Sequence, residues 1–229
     1  RAGRPQPPED GGLEEAQDSN GRGCPSLDKE AKRRTHSLAM PRIVAIDGPS
    51  GVGKSTTSKL VARELNLPHI DTGSMYRAIG LAAKRGGIDT HDADRLEKLA
   101  EASKIDFIPG EKPRVLLDDE DITALIRTPD VSMAASDVSS VPAVRRVLVP
   151  LQQNLGRRIG GGPEGREIGT KVFPETPYKF FLTATPHVRA ERRFAELEAR
   201  GTKLSFQDVL KGMSARDEQD STRAESPLT

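Results

Sequence analysis

Residues 48–55 constrain this chain more than any other stretch. Gly48-Pro49-Ser50-Gly51-Val52-Gly53-Lys54-Ser55 fits G-x-x-x-x-G-K-[ST] at every fixed position. Glycines let backbone N–H groups turn inward onto phosphate oxygens, and the N-terminus of a following helix adds a favourable dipole. Lys54 can reach β- and γ-phosphates, and the Ser55 hydroxyl can ligate Mg²⁺. A glycine-rich turn with an exposed lysine is the bland alternative. The flanks argue against it. An apolar run over residues 42–46 reads as a buried parallel strand, and residues 54–66 read as a helix with Leu60, Val61 and Leu65 on one face. The strand, loop and helix together predict an α/β chain that binds a nucleoside triphosphate.

Composition removes other classes. Among 229 residues, 35 Lys and Arg balance 34 Asp and Glu, for a net charge of +1. A general nucleic-acid or membrane-surface binder carries a basic excess. Aromatics are 3% with no Trp, too few for base-stacking platforms. One cysteine excludes an internal disulfide framework and a Cys-based zinc cluster. No run approaches the roughly 20 apolar residues of a membrane span. The expectation is a cytoplasmic monomer acting on small molecules, without nucleic-acid or membrane partners.

Residues 1–39 are different material. They hold four Pro and five Gly, with acids in the first half and bases in the second. With few apolar residues and no period, the segment is expected to be a disordered tail. It lacks the apolar stretch of a signal peptide and carries too many acids for a transit peptide. Met40 reads as the natural start, and Cys24 in the tail is given no role. From there the pattern is regular. Residues 69–71 read as a second strand. Met75, Ala78, Ile79, Ala82 and Ala83 predict an amphipathic helix stopped by Gly86 and Gly87. Residues 90–103 predict a helix capped by Thr90. Residues 105–108 and 115–117 predict a hairpin, with 121–123 as a third short strand. A long helix over 142–158, a buried strand over 179–183, a charged helix ending near Gly201 and a helix opened by Ser205 and Asp208 complete the reading.

Three further motifs narrow the chemistry. Asp71-Thr72-Gly73-Ser74-Met75-Tyr76-Arg77 follows the second strand, where open α/β sheets place ligands. Ala134-Ala135-Ser136-Asp137-Val138 leads to Val141-Pro142-Ala143-Val144-Arg145. Gly165-Arg166-Glu167-Ile168-Gly169-Thr170 leads to Val172-Phe173-Pro174. With Ile46-Asp47-Gly48-Pro49-Ser50-Gly51, these motifs in this order resemble bacterial-type cytidylate kinases, from about residue 42 to the last residue. The resemblance implies a P-loop NTPase fold: three α/β/α layers, a parallel central sheet, a small β insert in the monophosphate-binding part at about 87–141, and a short lid at about 187–205. The core would be 40–86 and 142–186. It implies phosphoryl transfer from ATP to CMP or dCMP with Mg²⁺.

Carried over residue by residue, the resemblance places ATP on Gly48, Pro49, Ser50, Gly51, Val52, Gly53, Lys54, Ser55 and Thr56, with Ser55 on the metal. It places CMP on Thr72, Tyr76, Arg77, Ser136, Arg145, Arg166, Glu167, Asp220 and Arg223. Lys54, Arg166 and Arg216 would be catalytic, and Arg189, Arg192 and Arg193 would serve the lid. Elementary chemistry agrees: phosphoryl transfer needs alignment and positive charge, which arginine forks supply bidentately. No general base is needed, because the acceptor phosphate is already anionic.

The chain departs from the family pattern in three places. Glu167 stands where the family has Asp, one methylene shorter, which puts base preference in question. Gly160-Gly161-Gly162-Pro163-Glu164 stands where the family has an apolar strand. Glycine weakens a strand and Pro cannot donate to a ladder, so a damaged central strand is expected here. Losing about three buried aliphatics would cost about 1.5–3 kcal/mol each. The sequence ends at Ser226-Pro227-Leu228-Thr229, where the family continues with a strand and a helix. A fragment with an uncovered sheet edge is therefore expected. Two other readings stay open: a P-loop kinase for another small acceptor, and a nucleotide-binding relative without turnover.

Overall fold

A computed structural model describes residues 42–110 and 112–228. The tail, Met40 and Cys24 lie outside the described residues. A parallel sheet of four strands, flanked by helices, forms the centre. Its strands are β1 (Val44–Asp47), β2 (His69–Asp71), β6 (Gly162–Gly165) and β7 (Tyr178–Phe181), in the order β2-β6-β1-β7. Between β1 and β2 lies α1 (Lys54–Glu64). After β2 come α2 (Gly73–Arg85) and α3 (Ala93–Ala102). A separate antiparallel sheet follows, of β3 (Ile105–Ile108), β4 (Arg114–Leu117) and β5 (Glu120–Asp121). Then come α4 (Pro129–Ser140) and α5 (Pro142–Ile159) before β6, and α6 (Pro186–Ala199) and α7 (Phe206–Thr222) after β7.

The core lies in patches that follow this order. Ile79, Leu96, Val138, Val144 and Leu148 join α2, α3, α4 and α5. Val115, Leu117, Ile122 and Ile126 seat the antiparallel sheet on Ala78 and Leu81 of α2. Ile43, Ala45, Ile168, Val172 and Phe173 close another face of the parallel sheet. Ala190, Leu197, Val209 and Met213 hold α6 against α7.

Several expectations are corrected. The central strand at Gly162-Pro163-Glu164 is intact and pairs with both β1 and β2. The glycines are what its entry requires. Gly160 and Gly161 take positive φ, and a Cβ on Gly161 would stand 2.5 Å from the Pro68 carbonyl oxygen. Gly161 donates to Arg42 O and accepts from Val44 N on the β1 side, while Gly162 donates to Pro68 O on the other. This alternation turns Pro163 toward β1, so the proline removes a single ladder donor. The missing aliphatic bulk is replaced by close approach. Ser58 and Ala62 of α1 are buried and Ser58 Oγ donates to Gly162 O at 3.1 Å.

The same packing overturns the apolar face assigned to α1. Leu60 and Leu65 are about half exposed, and the buried face is Lys54, Ser58 and Ala62, spaced by four. The cap of α3 is Asp92 rather than Thr90, with its carboxylate accepting from Arg95 N. The third short strand is 120–121. β7 forms but is not buried. It pairs only with β1, as an edge of the described sheet, and Tyr178, Phe180 and Phe181 are about half exposed. Helix α4, which sequence periodicity left unassigned, packs closely on α2: a Cβ on Gly80 would come within 3.0 Å of Ala135 N.

Candidate active site

The C-terminal ends of β1, β2 and β6 open into one cleft of about 1530 Å³. That exceeds the roughly 300–1,000 Å³ of an ordinary small-molecule pocket and leaves room for two nucleotides. The first side is the loop after β1. Gly51 and Gly53 take positive φ, and a Cβ on Gly48 would lie 2.4 Å from Leu182 O. Asp47, buried at the end of β1, accepts from Ile168 N and Gly169 N at 2.8 Å each, fastening β1 to the turn after β6. Burial raises its pKa although these two bonds oppose the rise. Lys54 opens α1 and donates to Pro49 O at 2.8 Å, so its ammonium folds over its own loop. Burial, with Arg166 nearby, pushes its pKa down to about 7 against the pull of Glu164 and Asp220.

The second side is a buried ionic network. Glu167 Oε1 accepts from the Tyr76 hydroxyl at 3.2 Å, and Oε2 accepts from Arg145 Nη2 at 2.8 Å and Arg223 Nη2 at 3.5 Å. Arg145 also donates to the Tyr76 oxygen and lies 5.3 Å from its ring centre. Arg223 continues to Asp220, whose other oxygen accepts Arg166 Nε at 2.7 Å. Burial raises the Asp220 pKa, but Arg166, Arg216 and Arg223 outweigh it and the carboxyl stays below its usual range. Burial and the Glu167 charge push the Tyr76 pKa up. Burial and the like charge of Arg166 bring Arg216 down to about 10. Its Nε is buried without a partner. The site thus gathers cations aimed at a common space that their own protein leaves underneutralised.

Most residues expected at substrate line this cleft: Ser50 to Thr56, Thr72, Tyr76, Arg77, Ser136, Arg145, Arg166, Glu167, Arg192, Arg193, Arg216, Asp220 and Arg223. Gly48, Pro49 and Arg189 are not among the lining residues. Arg189 is buried, donating to Ala184 O, to Ser50 O in the loop and to Asp217 of α7 at 2.6 Å. Arg192 donates to Val52 O at 3.2 Å, and Arg193 pairs with Glu196. Two CMP-side groups are already engaged. The Thr72 hydroxyl donates to Glu164 O, and the Ser136 hydroxyl donates to Gln219 of α7. Arg77 pairs with Asp71 at 2.5 Å.

A family model described as cytidylate kinase matches residues 44–229. This chain belongs to the cytidylate kinase family. Cytidylate kinases of three organisms illustrate the likeness. That of Caldicellulosiruptor bescii is 46% identical over 187 residues, 81% of this chain and 82% of that protein. That of Syntrophotalea carbinolica is 44% identical over 187 residues, 81% and 80% of the two chains. That of Limosilactobacillus reuteri is 45% identical over 188 residues, 81% and 82%.

Within this family's cleft, sequence reasoning missed Glu164. Its carboxylate is buried on the cleft floor and accepts the Ser55 hydroxyl at 2.9 Å. An acid ending the strand beside the loop strand was a usable signal, hidden by the Gly-Pro context. Arg127 and Gln219 also line the cleft without having been singled out. For a hard divalent cation, the Ser55 hydroxyl beside the Glu164 carboxylate is a fitting oxygen set. Among the described residues no group of three or more His, Cys, Asp or Glu forms a metal cage. A Mg²⁺ ion, which keeps several waters and leans on substrate phosphates, suits that sparse set.

Proposed function

We propose that this protein transfers the γ-phosphoryl group of ATP to CMP or dCMP, giving ADP and CDP or dCDP. The observation that carries the reading is the single cleft joining the Gly48–Ser55 loop to the arginine network around Glu167 and Asp220. The loop amides and Lys54 hold the donor phosphates, and Lys54 leaves Pro49 O for a phosphate oxygen. Ser55, backed by Glu164, would hold Mg²⁺. Once bound, Mg²⁺ would neutralise charge on the β- and γ-phosphate oxygens. Arg77, Arg166 and Arg216 clamp the acceptor phosphate in line with the donor. Asp220 with Arg223 orients the sugar. Tyr76, Ser136, Arg145 and Glu167 form the base side. Arg192 and Arg193 on α6 close over the donor end.

Positioning and charge account for the chemistry. Arg216 has a buried Nε without a partner, so an incoming phosphate gives it the anion it lacks. Glu167 accepts three hydrogen bonds from protein, on both carboxylate oxygens, so the base meets a carboxylate already oriented by Tyr76, Arg145 and Arg223. No helix among the described residues is long and apolar enough to cross a membrane. We place the protein in the cytoplasm as a monomer acting on freely diffusing nucleotides. The test is ADP formation from ATP–Mg²⁺ with CMP, dCMP, UMP and AMP, beside a Lys54→Ala control. Lys54-dependent turnover strongest on CMP or dCMP is expected. A folded chain that binds ATP and phosphorylates none of the four would sink the reading.

A further inference from the structure

Glu164 ties the loop helix to β2. It stands opposite Asp71 in the register of β6 with β2. While Oε2 accepts from Ser55, Oε1 lies 2.9 Å from His69 Nε2. The two side chains are 13% and 4% exposed. This contact fits the tautomer in which Nε2 donates to the carboxylate oxygen. The register explains how the imidazole arrives. His69 faces Gly162, and residues two apart share a face, so His69, Asp71, Gly162 and Glu164 share one side of the sheet. Gly162 brings no side chain of its own, and Asp71 is already held by Arg77.

We propose that His69 is a positioning residue for the cation and donor phosphates, resting on the reading of the Gly48–Ser55 loop as the Mg²⁺–ATP site. A hydroxyl that ligates a cation must place its proton elsewhere, leaving its lone pairs facing the ion. Glu164 Oε2 accepts the hydrogen bond from that hydroxyl. A carboxylate with one anchor turns freely about its last torsion, which is broad and weakly restrained. The bond from His69 to Oε1 supplies the second anchor and fixes Oε2 beneath Ser55. Partners of this outer kind typically change metal affinity by about 10–100-fold when removed.

The experiment uses the full chain with a β,γ-imido ATP analogue, and Mn²⁺ as a paramagnetic stand-in for Mg²⁺. Bound and free Mn²⁺ are read by electron paramagnetic resonance, with a thermal melt to check folding. His69→Phe is expected to weaken Mn²⁺ binding by about 10–100-fold and to leave the KM for CMP unchanged. His69→Gln, which returns an N–H donor, is expected to recover most of the affinity. Wild-type affinity in folded His69→Phe, or equal losses in both variants, would overturn the proposal while leaving the loop reading intact. A wild-type chain that takes up no Mn²⁺ with the nucleotide would overturn the loop reading itself. Should His69→Phe not fold, ¹⁵N NMR of the wild-type imidazole at pH 8 decides. A protonated Nε2 is expected, and an Nε2 without its proton refutes the proposal.

Discussion

Lys54 and Glu167 show how far burial changes what a charged residue does. The unfolded Lys54 ammonium keeps its proton to about 10.5, and the folded one only to about 7. Between these values the unfolded chain binds more protons, so the Lys54 contribution makes stability rise as pH climbs from about 7 toward 10.5. Below about 7 its burial penalty is felt in full. Lys54→Met should remove that slope in urea titrations across this window. Phosphates restore the charged form, so ATP binding near pH 8 should take up protons, by an amount that disappears in Lys54→Met. Calorimetry in two buffers of different ionisation heat measures it, and equal heats would refute the shift. Glu167 is the opposite case, an anion that holds Arg145 and Arg223 together in the interior. Burial and then the nearby Arg145 charge already lower the Arg223 pKa. Glu167→Gln leaves two guanidiniums facing one another and should cost about 3–5 kcal/mol in denaturant unfolding. A loss below about 1 kcal/mol, the scale of an exposed pair, would mean that the network is hydrated. Residue types at this site were legible because phosphate chemistry requires them. Their pairings were not, because Glu167, Arg145 and Arg223 come from three segments far apart in sequence.

At the scale of elements, close approach does work usually assigned to bulky side chains. α5 carries Gly156 against the Phe173 ring, and a Cβ there would stand 2.3 Å from the ring edge. Gly156→Ala should therefore destabilise the chain by about 1–3 kcal/mol through overpacking, despite the better helix propensity of alanine. Unchanged urea stability would show that Phe173 can move aside. β6 follows the same logic. Its glycines look like absent core in the sequence, yet Gly161 has room only for hydrogen beside Pro68 O, and Ser58 and Ala62 reach down to Gly162. Element types were legible wherever local periodicity was strong, as in α2, α5 and α7. The buried face of α1 was misread because its small residues pack on a bare strand while its leucines face outward. The cap of α3 was misplaced because Thr90 and Asp92 are both competent caps, and Asp92 is the one whose carboxylate reaches Arg95 N.

For the whole molecule, one cleft shared by two ligands means that binding and stability are linked. ATP–Mg²⁺ at about 100 times its Kd should add about 2.7 kcal/mol. At roughly 2–4 °C per kcal/mol for a domain of this size, the melting temperature should rise by about 5–10 °C. CMP added to that complex should raise it further, and scanning calorimetry reads both steps. No shift with ATP–Mg²⁺ would contradict the loop reading. The sequence by itself determined the phosphate loop, the α/β class and the family, because these rest on local spacing and on side-chain chemistry. Only tertiary structure decided that β6 holds despite Pro163, that Arg189 donates to the loop at Ser50 O, and that Glu164 stands between His69 and Ser55. Each of those outcomes depends on distances between segments 14 to 139 positions apart, and no local pattern encodes such a distance.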